Sequence, residues 1–482
     1  MSLKLRALIA VSLMVGFYVF SIAIICILVA IPYAEVVYLN RFDLRIIVAC
    51  LAGAFAILVS IIPRRDKFSA PGPRILPEQQ PRLFSELNDI ARATGQAMPR
   101  EVYLIPDVNA WVSQRGGFMG VGSRRVMGLG VPLMALLNVS QFRSVIAHEF
   151  GHYYGRDTAL GPWIYQTRSA IGRTLAQLEE RGSGLIFLFR GYANLFLRVT
   201  LAISRAQEYA ADRIGAKLAG AGAMIGGLKQ IHKAAPFWSP YVGSEVAPIL
   251  DRSFSPPVSE GFLQYLGTAT VEKAAGDNLE TELREGKSEK LDSHPSLRER
   301  IAALAHIQAA KEEDMRPATV LLEKPESVDC NLFLPVEGST FAPVRWDEVN
   351  QKVWIPAWKE TVEFQSEALT GLTVRQLVYQ LASGELARRM RNPAGMLLDD
   401  AQRISWAAGV AVHAMAFVLA TDGWTVHALP GEYYFEKLGV QIYPAELGRI
   451  AGQEMKPEEW LEKVKDTGIA DLPVIQAMVA RA

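Results

Sequence analysis

Two uncharged stretches within the first 63 residues constrain this chain more than anything that follows them. Residues 7–34 are 28 consecutive positions without a charge, more than the roughly 20 that a helix needs to cross a bilayer. A connection carrying Glu35, Arg41, Asp43 and Arg45 leads to residues 46–63, uncharged over 18 positions. Together they read as a transmembrane helical hairpin over 1–63. A cleavable signal peptide has a shorter apolar core, and "AIPYAEVV" only weakly resembles its cleavage site. Lys4 and Arg6 precede the hairpin, and Arg64, Arg65 and Lys67 follow it. The positive-inside rule then puts both ends in the cytoplasm. The expected location is the inner, cytoplasmic membrane, with everything after residue 64 on the cytoplasmic side.

A chain of 482 residues exceeds one ordinary core, so two or three units are expected. The 50 basic and 50 acidic residues cancel, which gives nucleic acid no electrostatic footprint. Cys26, Cys50 and Cys330 form no CxxC pair, against a disulfide framework or a cysteine zinc site. Residues 64–80 are basic and proline-rich and read as a juxtamembrane linker. From Pro81, Leu83, Phe84, Leu87, Ile90 and Ala91 recur at helical spacing. "REVYLIP", "NAWVSQ" and the glycine-punctuated "GGFMGVGSRRVMGLGVPL" predict a small antiparallel sheet. A helix follows, with Ser140 as its expected N-cap and Phe142, Val145, Ile146 and Phe150 as its apolar stripe.

That helix carries "VIAHEFGHYYGRD". His148 and His152 lie one turn apart on one face and can aim ring nitrogens at one ion. Glu149 sits about 100° round the helix, within reach of a water on that ion. Catalytic zinc usually takes three protein ligands and keeps an open position. "ISRAQEYAADRIGAKLAG" places Glu208 and Asp212 four apart on a helical face. Read alone, these two are either a ligand and its supporting carboxylate or a solvated pair facing Arg205 and Arg213.

HEFGH, then "SRAQEYAAD", then "SHPSLRERI", resembles the HtpX and CAAX prenyl protease family of membrane-associated zinc metallopeptidases. "NAWVSQ" and "RVMGLGVPLM" are similar to the strands before the zinc helix in that family. The resemblance spans about residues 64–310. It implies one zinc per chain, held by His148, His152 and Glu208, with Asp212 behind the zinc helix and Glu149 as general base. By the HPxxxxRI motif it implies a place for His294 near the site, either donating to a developing oxyanion or starting a helix, and a structural role for Arg300. Between His152 and Glu208 the HtpX proteases have a second pair of membrane segments. Here that interval is broken by Arg168, Arg173, Glu179, Glu180, Arg181, Arg190 and Arg198, and no such pair is expected. The run 185–204 is expected as a buried or membrane-surface helix rather than a spanning one.

The resulting expectation is a mainly α fold with a small antiparallel β-sheet, zincin-like, behind the hairpin. The metallopeptidase domain is expected over 81–315, and a C-terminal α+β region of unassigned role over 316–482. Residues 235–261 read as a proline-rich loop, and "ISWAAGVAVHAMAFVLATDGW" as a core helix. The function expected is a membrane-anchored zinc endopeptidase acting on polypeptides, including membrane proteins, and the family resemblance implies a place in membrane-protein quality control. Asn109, Ala110 and Trp111 are the expected substrate-binding strand. The competing reading is a membrane-anchored scaffold that works through its C-terminal region.

Overall fold

The structure is a computed structural model. It describes all residues except 1–2, 65, 67, 118–121, 153–160, 290–291, 293, 308–311, 334–340, 394–395 and 476–482. Arg65 and Lys67 of the basic flank, residues 153–157 of the motif stretch and Ser293 therefore lie outside the described residues. The chain forms two units, one of residues 1–236 with 275–325 and one of residues 237–274 with 326–482. This corrects the single cut expected after residue 315. Tyr241 packs against Phe262 and Trp346 at ring-centroid distances of 5.4 and 6.5 Å, tying the 237–274 excursion to the later unit. Residues 316–323 stay with the first unit, where the Val139 N–H donates to Arg316 O and Arg82 pairs with Glu323.

In the first unit, α1 (Leu3–Tyr38) and α2 (Leu44–Ile61) form the expected hairpin. The stretch read as a linker contains a short strand, β1 (Arg74–Ile75). Its flanking prolines are tolerated because β1 is an edge strand, where a missing N–H costs no ladder bond. After α3 (Pro81–Thr94) come β2 (Glu101–Ile105), β3 (Ala110–Arg115) and β4 (Arg124–Gly130), in the order β1-β2-β4-β3. The β2–β4 pair is parallel, so the sheet is mixed rather than antiparallel throughout. β3 pairs only with β4 and forms the other edge. There Trp111 lies opposite Gly128, where a Cβ would meet its ring at 2.5 Å.

A short helix, α4 (Val131–Leu136), leads into α5 (Val139–Gly151), the motif helix. Its N-cap is Asn138, not Ser140. Asn138 Oδ1 accepts from the Gln141 N–H at 2.8 Å, and Gln141 Oε1 accepts from the Asn138 N–H at 3.1 Å, a reciprocal capping box. The Ser140 hydroxyl is engaged elsewhere, accepting the Asp314 N–H at 2.8 Å. Phe142, Ile146 and Phe150 are fully buried, as the stripe required.

Two helices, α6 (Gly161–Glu180) and α7 (Ile186–Ala219), fill the interval before the third candidate ligand. Met14 and Phe17 of α1, Ile57 of α2, Ile171 and Leu178 of α6, and Phe189 and Phe196 of α7 share one core. Of α6 and α7, α7 alone is long and apolar enough to cross a membrane among the described residues. Of the charges in the interval, Arg190 and Arg198 point outward, whereas Arg168 lies within α6 with two guanidinium nitrogens buried. The Arg173 guanidinium donates to the carbonyls of Ser60 and Ile62 at the end of α2, which have no helical partner of their own. Arg190 faces Glu179 at 3.6 Å. Outward apolar side chains such as Val19, Ile22, Phe55 and Phe187 are exposed. By length and composition α1, α2, α7 and the helix Asp400–Thr421 suffice to cross a membrane.

Beyond α7, α8 (Ala221–Tyr241) runs through the first part of the expected proline-rich loop. A π-helical turn (Val242–Val246) and the helix Ala247–Leu250 continue it. Pro248 sits near the start of that helix, just after the wider π-helical turn. In the second unit the helices Ile355–Phe364, Val374–Ala382 and Asp400–Thr421 and an antiparallel meander of Thr425–Leu429, Glu432–Lys437 and Val440–Ile442 enclose one core. Ala411, Ala414, Met415 and Leu419 of the Asp400–Thr421 helix are fully buried in it.

Helices α5 and α7 pack closely against each other. A Cβ on Gly215 would lie 2.5 Å from Ser144 O, and one on Gly151 3.0 Å from the Ala211 Cα. Gly215→Ala should therefore lower the thermal midpoint in detergent, because overpacking costs about 1–3 kcal/mol against about 1 kcal/mol of helix propensity gained. Gly191→Ala, with open space around it, should leave the midpoint unchanged or raise it. Equal responses from the two variants would refute a tight α5–α7 contact.

Candidate metal centre

The α5–α7 crossing faces HExxH with the later acidic pair. His148 Nε2 and His152 Nε2 are 3.2 Å apart, and the Glu208 carboxylate oxygens lie 3.6 and 3.5 Å from them. Ligands bound at zinc-type lengths of about 2.0–2.1 Å round a tetrahedral ion stand about 3.3–3.4 Å from one another. The spacing therefore fits a divalent cation. The donor chemistry agrees, since two imidazole lone pairs and a carboxylate facing one point repel unless a cation lies between them. His148, His152 and Glu208 are the residues that can hold it.

A buried scaffold lies behind these three. His148 Nδ1 is 2.8 Å from Asp212 Oδ1, which leaves Nε2 free to face the ion. Asp212 is 1% exposed and accepts both prongs of Arg300, at 2.9 and 2.6 Å. Burial pushes the Asp212 carboxyl up, but Arg300 and His148 outweigh it and hold it at about 2. Arg300, whose motif reads as structural, is thus part of the site and also stands 3.6 Å from Glu208. It comes from the helix Leu297–Leu304, whose own N-cap is Ser296. His294 just before that helix is at the mouth, its side chain 66% exposed, with Nδ1 3.0 Å from Glu208 Oε1.

Glu149 lies beside these three residues without joining them, 4.0 Å from His148 Nε2 and mostly enclosed. Burial, followed by the Glu208 charge and opposed by His148, pushes its carboxyl up to about 7, and the Val112 backbone N–H binds it. Burial and the neighbouring His148 lower His152 to about 4, so its ring is neutral, the form in which a histidine ligates.

These groups share a cavity of about 320 Å³ with Asn109, Ala110 and Trp111 at its β3 side. Its opposite wall was not anticipated: Met224, Leu228, Ile231 and His232 of α8. Their i, i+4, i+7, i+8 spacing is a helical face that periodicity alone assigns to any core. His232 Nδ1 is held by Glu282 at 2.9 Å.

Arg300→Lys keeps the charge and loses the two-pronged contact. Loss of such a supporting partner weakens metal binding by about 10–100-fold, which competition against a chromophoric chelator would measure. An unaltered affinity would show that the Arg300–Asp212 pair does not set the ligand geometry.

Residues 77–308 match the model of peptidase family M48. Among curated proteins, the chain is similar to a protein named Protease HtpX homolog from Aquifex aeolicus (29% identity over 34% of this chain and 59% of the relative). Homologs of the same name match from Acidiphilium cryptum (28% over 47% and 74%) and Pyrococcus abyssi (31% over 30% and 53%). The chain thus spans about three fifths of the length of the first of these relatives. No solved structure gives a significant match. Motif order, the facing donor set and these matches agree with one another: residues 77–308 match peptidase family M48 and are similar to proteases of the HtpX type.

Proposed function

We propose that this protein is a membrane-anchored zinc metalloendopeptidase. The observation that carries the reading is the convergence of His148, His152 and Glu208 on one point, with the half-buried Glu149 beside it. Zinc bound by these three would act as a Lewis acid that acidifies water and polarises a carbonyl. The two-histidine, one-glutamate set and the tetrahedral spacing of its atoms favour that ion.

The chain's own residues do the remaining work. Glu149, its pKa raised to about 7, accepts the proton of the attacking water and passes it to the leaving amine nitrogen, a task suited to a base poised near neutrality. Asp212 and Arg300 keep the His148 ring in place. His294, at the cavity mouth beside Glu208, is assigned to donate to the oxyanion that develops on the scissile carbonyl. β3 is an edge strand whose Ala110 and Trp111 border the cavity. A substrate segment added along it would be held by main-chain hydrogen bonds, with little demand on its sequence.

Weak sequence demand suits unfolded or membrane-protein segments, and the HtpX resemblance points the same way, to membrane-protein quality control. The basic residues at the hairpin's ends favour a cytoplasmic catalytic domain at the inner membrane. Glu149→Gln should retain metal while cleavage of unfolded casein falls about 10²–10⁴-fold. Cleavage at the wild-type rate by a metal-loaded variant would sink the general-base assignment.

A further inference from the structure

The second unit contains a cavity of about 230 Å³ with no part in the reaction described above. Its walls come from the π-helical turn, the helix Ile355–Phe364 and the residue before it, the middle of the Asp400–Thr421 helix, and the hairpin of the first two meander strands. Trp354, Trp358 and Tyr433 supply aromatic surface, and Glu245 and Glu432 supply carboxylates. We propose that this cavity is a binding site for a small organic cation, an alkylammonium group held between aromatic faces and a carboxylate.

The lining is rich in acceptors and lacks a cation. Among the described residues that border the cavity there is no lysine or arginine. Its one histidine, His413, faces Thr361 Oγ1 through Nδ1 at 3.0 Å, and burial lowers its pKa and keeps the ring neutral. The nearby Arg252 is engaged by both oxygens of Glu360, at 3.1 and 2.5 Å. Glu245 receives the Ser244 hydroxyl at 3.3 Å and a backbone N–H from Gly431. Among the described residues no cation pairs with it, and burial raises its pKa, a cost that a bound cation would offset.

Two further features distinguish the cavity from ordinary core. The Tyr433 Oη is buried with no hydrogen-bond partner, and such groups are uncommon in native structures unless a ligand or water meets them. The ring of Trp358, 2% exposed, is tilted at 51° to that of Tyr433 with centroids 5.9 Å apart, two sides of a box. Cations within about 6 Å of such ring faces are attracted by the quadrupole, most strongly when desolvated. The volume is below the roughly 300–1,000 Å³ of drug-sized sites. It suits an ammonium carrying a few carbons, whether a free amine or the end of a lysine side chain.

The test is tryptophan fluorescence of the full-length protein in maltoside detergent, titrated with tetramethylammonium and with butylammonium. Sodium chloride at matched ionic strength and neutral neopentyl alcohol are the controls. Saturable quenching by at least one organic cation, absent with both controls, is expected. Glu245→Gln and Trp354→Leu should each weaken it at least fivefold while keeping the thermal midpoint. Equal binding of the neutral alcohol, or no saturation by either cation in folded protein, would overturn the proposal. Nα-acetyl-lysine methylamide separates the sources: tighter binding than butylammonium assigns the site to a polypeptide lysine, weaker binding to a free amine.

Discussion

The close crossing of α5 and α7 is the contact on which the rest of the first unit depends. Each helix carries half of the donor set, two histidines on one and the acidic pair on the other. Neither half can hold an ion alone. Gly151 and Gly215 remove the side chains that would keep the backbones apart, and Ala211 is the next smallest choice at the same contact. The same α7 extends back among the apolar helices, so one rod of 34 residues links the membrane-type bundle to the third ligand. A helix transmits position over such a length because its backbone bonds are satisfied internally.

Charge is concentrated where apolar packing would be cheaper. Asp212 and Arg300 are almost fully buried, and a buried ion pair gains little stability over a hydrophobic pair of similar volume. Its arrangement fits orientation instead: Arg300 donates to Asp212, Asp212 lies 2.8 Å from His148 Nδ1, and His148 Nε2 faces His152 and Glu208. Glu149 has no such partner and is left with a raised pKa. Two carboxylates of one site are thereby driven in opposite directions, Asp212 held charged and Glu149 raised towards neutrality, which suits the base proposed above.

Much of this was legible in the residue order. The hairpin, α3, the strands β2 and β3 and the motif helix follow from hydropathy and periodicity, and the facing of Glu208 by His148 and His152 follows from the resemblance. The misreadings share one cause, a local signal outweighed by a distant partner. Ser140 has the chemistry of an N-cap, but its hydroxyl is taken by Asp314, and Asn138 with Gln141 closes the box instead. The prolines after residue 235 signal a loop, yet Trp238 and Tyr241 gain enough by burial for helix to persist through them. That Arg173 of α6 meets the carbonyls at the end of α2 is likewise a contact no local pattern announces.

The sequence by itself determined the residue types and their local geometry: two imidazoles one turn apart, a glutamate beside them, and two long uncharged helices ahead. These rest on the 3.6-residue period and on transfer free energy, which need no knowledge of the rest of the chain. Only the tertiary structure decided that Arg300 supports the site, that α8 walls its cavity, and that residues 237–274 pack with the C-terminal half. Each of those is a contact between segments far apart in sequence. Which distant surfaces meet is set by the joint packing of all the apolar faces at once, and no single window of sequence contains that information.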